Sequence, residues 1–269
     1  MSKFSYHSRM HYAPWLFLLV AFPVLGQSVE WRNYSSRDEA ESAIRDNTRR
    51  VEGEPHRARW YIARGNAQFY AEDFDKAIAD FDAALARDPG ADLAHFGRGM
   101  ALGRRGDLEA AIDALDTYID LHPASALAYT KRGVRHLWNR DPARAERDFK
   151  RALELDATNT EARDDLGVIV AQRGEYQTAI NLFKQVINID PSYQKAFHNL
   201  ALAYYLTSET ESALKVVDDA LQLDPANRDT MMLKAVILES LGNTAAAEQL
   251  KRRAHNLEED NWSEQYPVK

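Results

Sequence analysis

The sequence of 269 residues contains no cysteine. This absence excludes disulfide bonds, thiolate nucleophiles, cysteine-ligated zinc sites and iron–sulfur clusters. Positive charge is also in deficit, because 34 Lys and Arg residues face 41 Asp and Glu residues and leave a net charge of −7. A generally acidic surface repels phosphate backbones, so the composition argues against a protein that binds nucleic acid.

Long hydrophobic runs are scarce in the sequence, and the clearest one lies near its beginning. Residues 13–26, APWLFLLVAFPVLG, follow the weakly basic residues 1–12. This order predicts a signal peptide at residues 1–26, cleaved after Gly26, and a periplasmic or secreted bacterial protein. A membrane-spanning helix needs ~20 apolar residues, whereas Pro14 and Pro23 interrupt this run. An uncleaved anchor in the inner membrane is therefore the alternative.

Small and large residues recur along the chain at intervals of 34 residues. One column is always alanine: Ala77, Ala111, Ala145, Ala179, Ala213 and Ala247. A second is small: Gly65, Gly99, Gly133, Gly167, Ala201 and Ala235. A third is large and apolar: Phe81, Leu115, Phe149, Phe183 and Val217. A fourth is proline: Pro89, Pro123, Pro191 and Pro225.

Each 34-residue unit divides into two amphipathic helical stretches, and no segment alternates with the period of two that is typical of a strand. In the fourth unit, Gly174 marks the turn between the stretches and Pro191 ends the second one, because proline lacks an N–H group and disfavours helical geometry before it. Small residues on facing helices allow the two axes to approach to about 8 Å. Such pairs become stable when they stack on neighbouring pairs.

The spacing predicts a repeat array with a capping segment and a tail. We expect a half repeat at residues 27–57, in which Ser36 and Glu39 form a capping box, and a frayed tail at residues 262–269. Between them the six predicted repeats are residues 58–91, 92–125, 126–159, 160–193, 194–227 and 228–261.

The combination of these columns resembles the tetratricopeptide repeat family. This resemblance implies an all-α fold, a right-handed α-solenoid of stacked antiparallel helix pairs, in which the first helix of each pair lines a concave groove. It also implies binding of protein or peptide partners in that groove. The sequence departs from the family pattern at His95 and Arg163, where an aromatic residue is usual, and at Ala157 and Glu259, which replace prolines.

The groove candidates follow from the stripe of the first helices that adjoins the glycine column. Within this stripe, Val134, Val168 and Leu202 are expected to pack on neighbouring repeats instead. The predicted partner-binding residues are Asn66, Phe69, Tyr70, Phe96, Met100, Arg104, Thr130, Trp138, Asp164, His198 and Tyr205.

Catalysis is not expected from these side chains. Thr130, Asp164 and His198 resemble a nucleophile, an acid and a base, but they lie one repeat apart on helices whose axes are roughly 8–10 Å or more from each other. Catalytic proton transfer needs contacts of ~2.6–3.2 Å. The histidines show no i, i+4 pairing with a carboxylate that would indicate a metal site. We therefore expect no enzymatic activity, no metal and no cofactor.

The predicted function is a non-enzymatic scaffold of the bacterial envelope that binds a partner peptide or protein in its concave groove. The alternative is a structural subunit of an envelope assembly or export machine that uses its convex face or its ends. Some members of the family clamp a C-terminal carboxylate with Lys and Asn side chains. Asn66 matches that set, but Ile62 stands in place of a lysine, so no such clamp is expected.

Overall fold

A computed structural model describes residues 31–257 of the chain. The predicted signal peptide and the predicted tail at residues 262–269 lie outside the described residues. Within residues 31–257 the chain forms thirteen α-helices and no strand, and none of these helices has the length and apolar character needed to span a membrane. The helices are α1 (Arg37–Gly53), α2 (Ala58–Tyr70), α3 (Phe74–Leu85), α4 (Asp92–Arg105), α5 (Leu108–Leu121), α6 (Ala126–Trp138), α7 (Pro142–Leu155), α8 (Thr160–Gln172), α9 (Tyr176–Ile189), α10 (Gln194–Leu206), α11 (Thr210–Leu223), α12 (Arg228–Ser240) and α13 (Thr244–Ala254).

The helices stack in chain order, and the pattern of their contacts gives the stack an inner and an outer side. Each helix packs on the next one, and α1 covers α2 at the N-terminal end. The first helices of consecutive pairs, from α2 to α12, also contact one another, whereas the second helices of consecutive pairs in residues 31–257 do not. The first helices therefore line the inner side of a curved stack. This arrangement confirms the predicted all-α solenoid.

The N-terminus of α1 has the predicted cap in a modified form. The Ser36 hydroxyl accepts a hydrogen bond from the Glu39 backbone N–H at 3.2 Å. The Glu39 carboxylate reaches back to Ser35, whose backbone N–H and hydroxyl donate to it at 2.9 and 2.7 Å. These bonds satisfy donors that a helix N-terminus otherwise leaves unpaired, and they join Ser35 to the first turn of α1.

The turn inside each pair uses a left-handed backbone conformation at every 34th residue. Gly174 has a φ of 83°, which glycine adopts without a steric cost, and Gly106 and Gly242 are similar at 102° and 81°. The remaining turns place a residue with a side chain at the same point, and their φ values are 62° at Glu72, 58° at Arg140 and 63° at Ser208. These three turns carry the strain that a Cβ atom causes in this region.

The two helices of a pair approach closely because a small residue faces a large side chain. A Cβ atom added to Gly167 would lie 2.5 Å from the ring of Phe183, and this phenylalanine is 1% exposed. The fifth pair has Ala201 and Val217 at the two corresponding positions, and both belong to one buried cluster. The additional methyl group of the alanine is thus matched by a smaller facing side chain.

We expect Gly167→Ala to lower the free energy of unfolding by about 1–3 kcal/mol, because the added methyl group would lie 2.5 Å from the Phe183 ring and forces that ring to shift. Urea denaturation measures this loss. Gly53→Ala in α1 is the control, since no atom lies within 4 Å of a Cβ atom built there, and it should be neutral or stabilising by up to about 1 kcal/mol. The double variant Gly167→Ala/Phe183→Val reproduces the pair of the fifth repeat and should lose less than the two single variants together. Additive losses would contradict this explanation.

We expect Ser208→Gly to raise the free energy of unfolding by up to about 1 kcal/mol, because glycine removes the strain at a φ of 63°. The matched control is Ser212→Gly, which places glycine in the helical backbone of α11 and should lower stability by roughly 0.5 kcal/mol. Thermal and urea unfolding of both variants measure the effects. A loss of stability in Ser208→Gly would show that the turn is not strained.

Candidate functional site

The N-terminal part of the inner wall is covered by the chain itself. Residues 31–35, here called the N-terminal segment, precede α1 and lie against α2 and α4. The Trp31 ring is edge-on to Phe69 at a centroid distance of 5.6 Å and to Phe96 at 5.2 Å. The Tyr34 ring lies 5.5 Å from the Tyr70 ring. Aromatic pairs at these distances and angles gain a favourable interaction energy in addition to the free energy of burying their apolar surface.

Hydrogen bonds also join the N-terminal segment to α2. The Arg32 backbone N–H donates to Asn66 Oδ1 at 3.3 Å, and the Tyr70 hydroxyl donates to Asn33 Oδ1. The wall residues beneath the segment are only 2–5% exposed. These residues, here called the aromatic pocket, are Asn66, Phe69, Tyr70 and Phe96. They were predicted to form an open groove wall, and the structure instead places them under the chain's own aromatic side chains.

The middle of the inner wall is filled by an arginine that the sequence analysis did not select. Arg135 on α6 is fully buried, and a Cβ atom at Gly103 would lie 1.8 Å from its Nε atom. Its guanidinium lies over the Trp138 ring at 4.5 Å and contacts the sulfur of Met100 at 3.6 Å. Met100 is consequently buried and Trp138 is half-buried. The glycine at position 103, where neighbouring repeats carry larger residues, is a signal for this insertion.

Arg104 lies at the edge of the same region. Its guanidinium is 5.3 Å from the Phe74 ring and 3.9 Å from the Glu72 carboxylate. The Arg104 side chain is 12% exposed. The predicted groove arginine is therefore largely occupied by neighbours in the preceding helix pair.

Thr130 and His198 bond to residues at the start of, or on, the first helix of the following pair. The Thr130 hydroxyl donates to the Ala126 carbonyl at 3.0 Å and accepts from Asn159 Nδ2 at 2.9 Å. His198 Nδ1 lies 3.0 Å from the Thr230 hydroxyl on α12. Burial lowers the pKa of His198 and so favours the neutral imidazole. Thr130 is 0% exposed and has no surface to offer a partner in this conformation.

Asp164, the third member of this row, belongs to a buried ionic cluster between α8 and α10. Lys195 Nζ lies 2.7 Å from Asp165 Oδ1 and 3.1 Å from Asp164 Oδ2. Asn199 Nδ2 donates to Asp164 Oδ1 at 3.0 Å. Burial raises the pKa of both carboxyl groups, against the opposing attraction of Lys195. Burial also acts to lower the pKa of Lys195, but the two carboxylates outweigh it and raise that pKa. The cluster joins two repeats and is not open to a ligand.

The C-terminal part of the inner wall is open. Four apolar side chains on the contacting helices α10 and α12, here called the open patch, are each more than a third exposed: Leu202 at 37%, Leu206 at 47%, Met232 at 36% and Val236 at 39%. Leu202 was expected to pack against a neighbour and is more exposed than that expectation implies. Tyr205 lies beside the patch and is half-buried. A cavity of about 310 Å³ adjoins the patch, and its lining includes Val168, Ala171, Gln172, Tyr176, Leu202 and Leu206.

We expect Lys195→Met to lower the free energy of unfolding by about 3–5 kcal/mol at pH 7, because it leaves two buried carboxylates without their cation. Lys195 acts to lower the pKa values of Asp164 and Asp165, which burial raises, so these pKa values are higher still in the variant. A carboxyl group with a raised folded-state pKa destabilises the fold only as the pH rises through that pKa, and it does not do so below the ordinary carboxyl pKa. The loss caused by Lys195→Met should therefore shrink as the pH falls from 7 towards 4.

Urea denaturation across this pH range tests the expectation. Lys195→Met/Asp165→Asn removes one carboxylate as well and should recover part of the loss at pH 7. The control is Lys150→Met, because Lys150 pairs with Glu146 at the surface and its side chain is 60% exposed. This variant should cost about 0–1 kcal/mol. A loss in Lys195→Met that does not change with pH would contradict the assignment.

Comparison with known protein families identifies the repeat. The family model described as tetratricopeptide repeat matches residues 62–126 and 198–260, and a second model, described as TPR repeat, matches residues 167–208. No match was found among curated proteins.

Solved structures show the same fold. A chain of the APC/C hetero-tetramer Cut9-Hcn1 is 18% identical with a TM-score of 0.73, and the alignment covers 82% of this chain and 43% of that one. MamA is 26% identical with a TM-score of 0.54 over 64% of this chain and 93% of that one. YrrB, described as a TPR protein with an unusual peptide-binding site, is 25% identical with a TM-score of 0.54 over 70% and 97% of the two chains. Proteins with this fold generally bind protein or peptide partners. The chain belongs to the tetratricopeptide repeat family.

Proposed function

We propose that the protein is a non-enzymatic scaffold of the bacterial envelope that binds a partner peptide or protein on its inner face, at the open patch. The observation that carries this proposal is the row of four exposed apolar side chains on α10 and α12. Contiguous apolar surface on the outside of a folded protein marks interaction sites. The rest of the inner wall is largely covered by the N-terminal segment, by Arg135 and by bonds between repeats.

The shape of the open patch suits a chain segment with large apolar side chains. Leu202 and Val236 occupy equivalent positions of consecutive repeats, so their spacing is set by the stacking of α10 on α12. The adjoining cavity of about 310 Å³ lies at the lower end of the size range of ligand-binding clefts. Because helices hold these side chains, the receptor loses little conformational entropy when a partner binds. An extended or helical segment fits this surface.

The envelope location rests on the N-terminal sequence. Residues 13–26 have the length and order of a signal peptide, and the proposed cleavage follows Gly26. The mature protein would then be periplasmic or secreted, and an uncleaved anchor in the inner membrane is the alternative. YrrB, which is described as having a peptide-binding site, supports a peptide or protein as the partner.

We expect Leu202→Asp/Val236→Asp to weaken partner binding at least about tenfold, which corresponds to about 1.4 kcal/mol. The melting temperature should change little, because both side chains are already more than a third exposed. The partner is first isolated by photo-crosslinking from a reactive residue introduced at position 206, and its affinity is then measured by calorimetry. The control is Leu223→Asp on α11, because this leucine is 44% exposed on a second helix. Unchanged binding by the double variant would overturn the proposal.

A structural subunit of an envelope assembly is the second candidate function, because the outer helices also carry an apolar row. Leu121, Ile189 and Leu223 occupy equivalent positions at the ends of α5, α9 and α11 and are 50%, 41% and 44% exposed. The same variants separate the candidates. Loss of binding or of self-association in Leu223→Asp, with normal behaviour of Leu202→Asp/Val236→Asp, would favour the outer face. Light scattering on the purified chain measures the self-association.

A further inference from the structure

The N-terminal segment lies on the inner wall as a bound peptide would. Residues 31–34 have no regular secondary structure. Trp31 and Tyr34 insert their rings among the aromatic side chains of α2 and α4, while Arg32 and Asn33 between them are exposed. The contacts thus depend on a tryptophan followed three residues later by a tyrosine. This is recognition by side-chain anchors on a backbone without regular secondary structure.

The wall beneath the segment has a hydrogen-bonding group that the segment does not use. An asparagine side chain has one acceptor and one donor group, so it can bind both the N–H and the C=O of a passing peptide. Asn66 Oδ1 accepts from the Arg32 N–H at 3.3 Å. Its Nδ2 group is buried and has no hydrogen-bond partner among the described residues. The chain's own segment therefore leaves a buried donor that a better-fitting extended peptide would satisfy.

We propose that the aromatic pocket is a peptide-binding site for an extended partner segment that carries a tryptophan three residues before a tyrosine. The N-terminal segment occupies this site in cis, and a partner segment displaces it. The segment ends directly at Ser36, the N-cap of α1, so it is held close to the pocket at a high effective concentration. Because the N-terminal segment competes for the pocket, its binding sets the affinity that a partner segment needs in order to displace it. The pocket on α2 and α4 lies at the opposite end of the solenoid from the open patch, so the inference does not depend on that patch.

The first experiment empties the pocket without changing its walls. The full chain with Trp31→Ala/Tyr34→Ala is titrated against a fluorescein-labelled peptide of residues 28–36, SVEWRNYSS, and binding is measured by fluorescence anisotropy. We expect the variant to bind at least about tenfold more tightly than the unchanged chain, in which the tethered segment competes. A control peptide with alanine in place of both aromatic residues should not bind. Leu202→Asp/Val236→Asp added to the variant should leave peptide binding unchanged, which separates this site from the open patch.

The second experiment uses the unchanged chain, so it decides the matter even where the variant does not fold. The chain contains five tryptophans, which are labelled with 5-fluorotryptophan, and the Trp31 ¹⁹F resonance is assigned with Trp31→Phe. Excess SVEWRNYSS peptide should move this resonance to the position of a solvent-exposed tryptophan, and the alanine peptide should not.

The outcomes separate the possibilities. Displacement of Trp31 by the aromatic peptide, or its binding to the folded variant, supports a peptide-binding site. If millimolar peptide leaves the Trp31 resonance unmoved, and the Trp31→Ala/Tyr34→Ala chain either binds no peptide or does not fold, the N-terminal segment is a permanent part of the fold and the proposal is wrong.

Discussion

The close approach of two helices within each pair is the constraint on which the rest of the structure depends. A residue without a large side chain must face the helix partner, as Gly167 faces Phe183, or the axes separate and the neighbouring pairs no longer fit. Because the chain repeats this contact at a fixed interval, the geometry of one pair is carried over to the next. At the same two positions the fifth pair has Ala201 and Val217 in one buried cluster, so a slightly larger residue on the first helix is accompanied by a smaller one on the second.

A regular stack also produces a regular inner wall, but the side chains that cover this wall differ from one part of it to the next. At one end an aromatic segment covers α2 and α4, and in the middle Arg135 fills the space left by Gly103. Between α8 and α10 an ionic cluster around Lys195 joins repeats at positions that could otherwise contact a ligand. Leu202 and its neighbours at the other end stay exposed. The specificity of a solenoid thus resides in which positions of a repeated framework are left uncovered.

The covered positions explain why the stripe along the first helices did not correctly predict which residues are exposed on the inner wall. Thr130 and Asp164 occupy positions of that stripe, yet the polar atoms of Thr130 bond to Asn159, the N-cap of α8, and those of Asp164 to Asn199 on α10. Such bonds depend on which residues meet across two helices that are distant in sequence, as Asn199 meets Asp164. Spacing along a single helix does not contain that information. The aromatic residues Trp31 and Tyr34 in an otherwise polar stretch were the available signal for a segment that packs on the wall.

The architecture followed from the sequence because its cause is local and periodic: small residues, large residues and prolines recur at one interval, and each repeat contacts mainly its neighbours. The family, the helical class and the stacking of pairs were all accessible in this way. Which wall residues are covered was decided only in the tertiary structure, because Trp31 reaches Phe96 and Arg135 reaches Gly103 across separations of 65 and 32 residues along the chain. Contacts of that kind depend on which side chains from different repeats pack together, and a periodic sequence pattern does not contain this information.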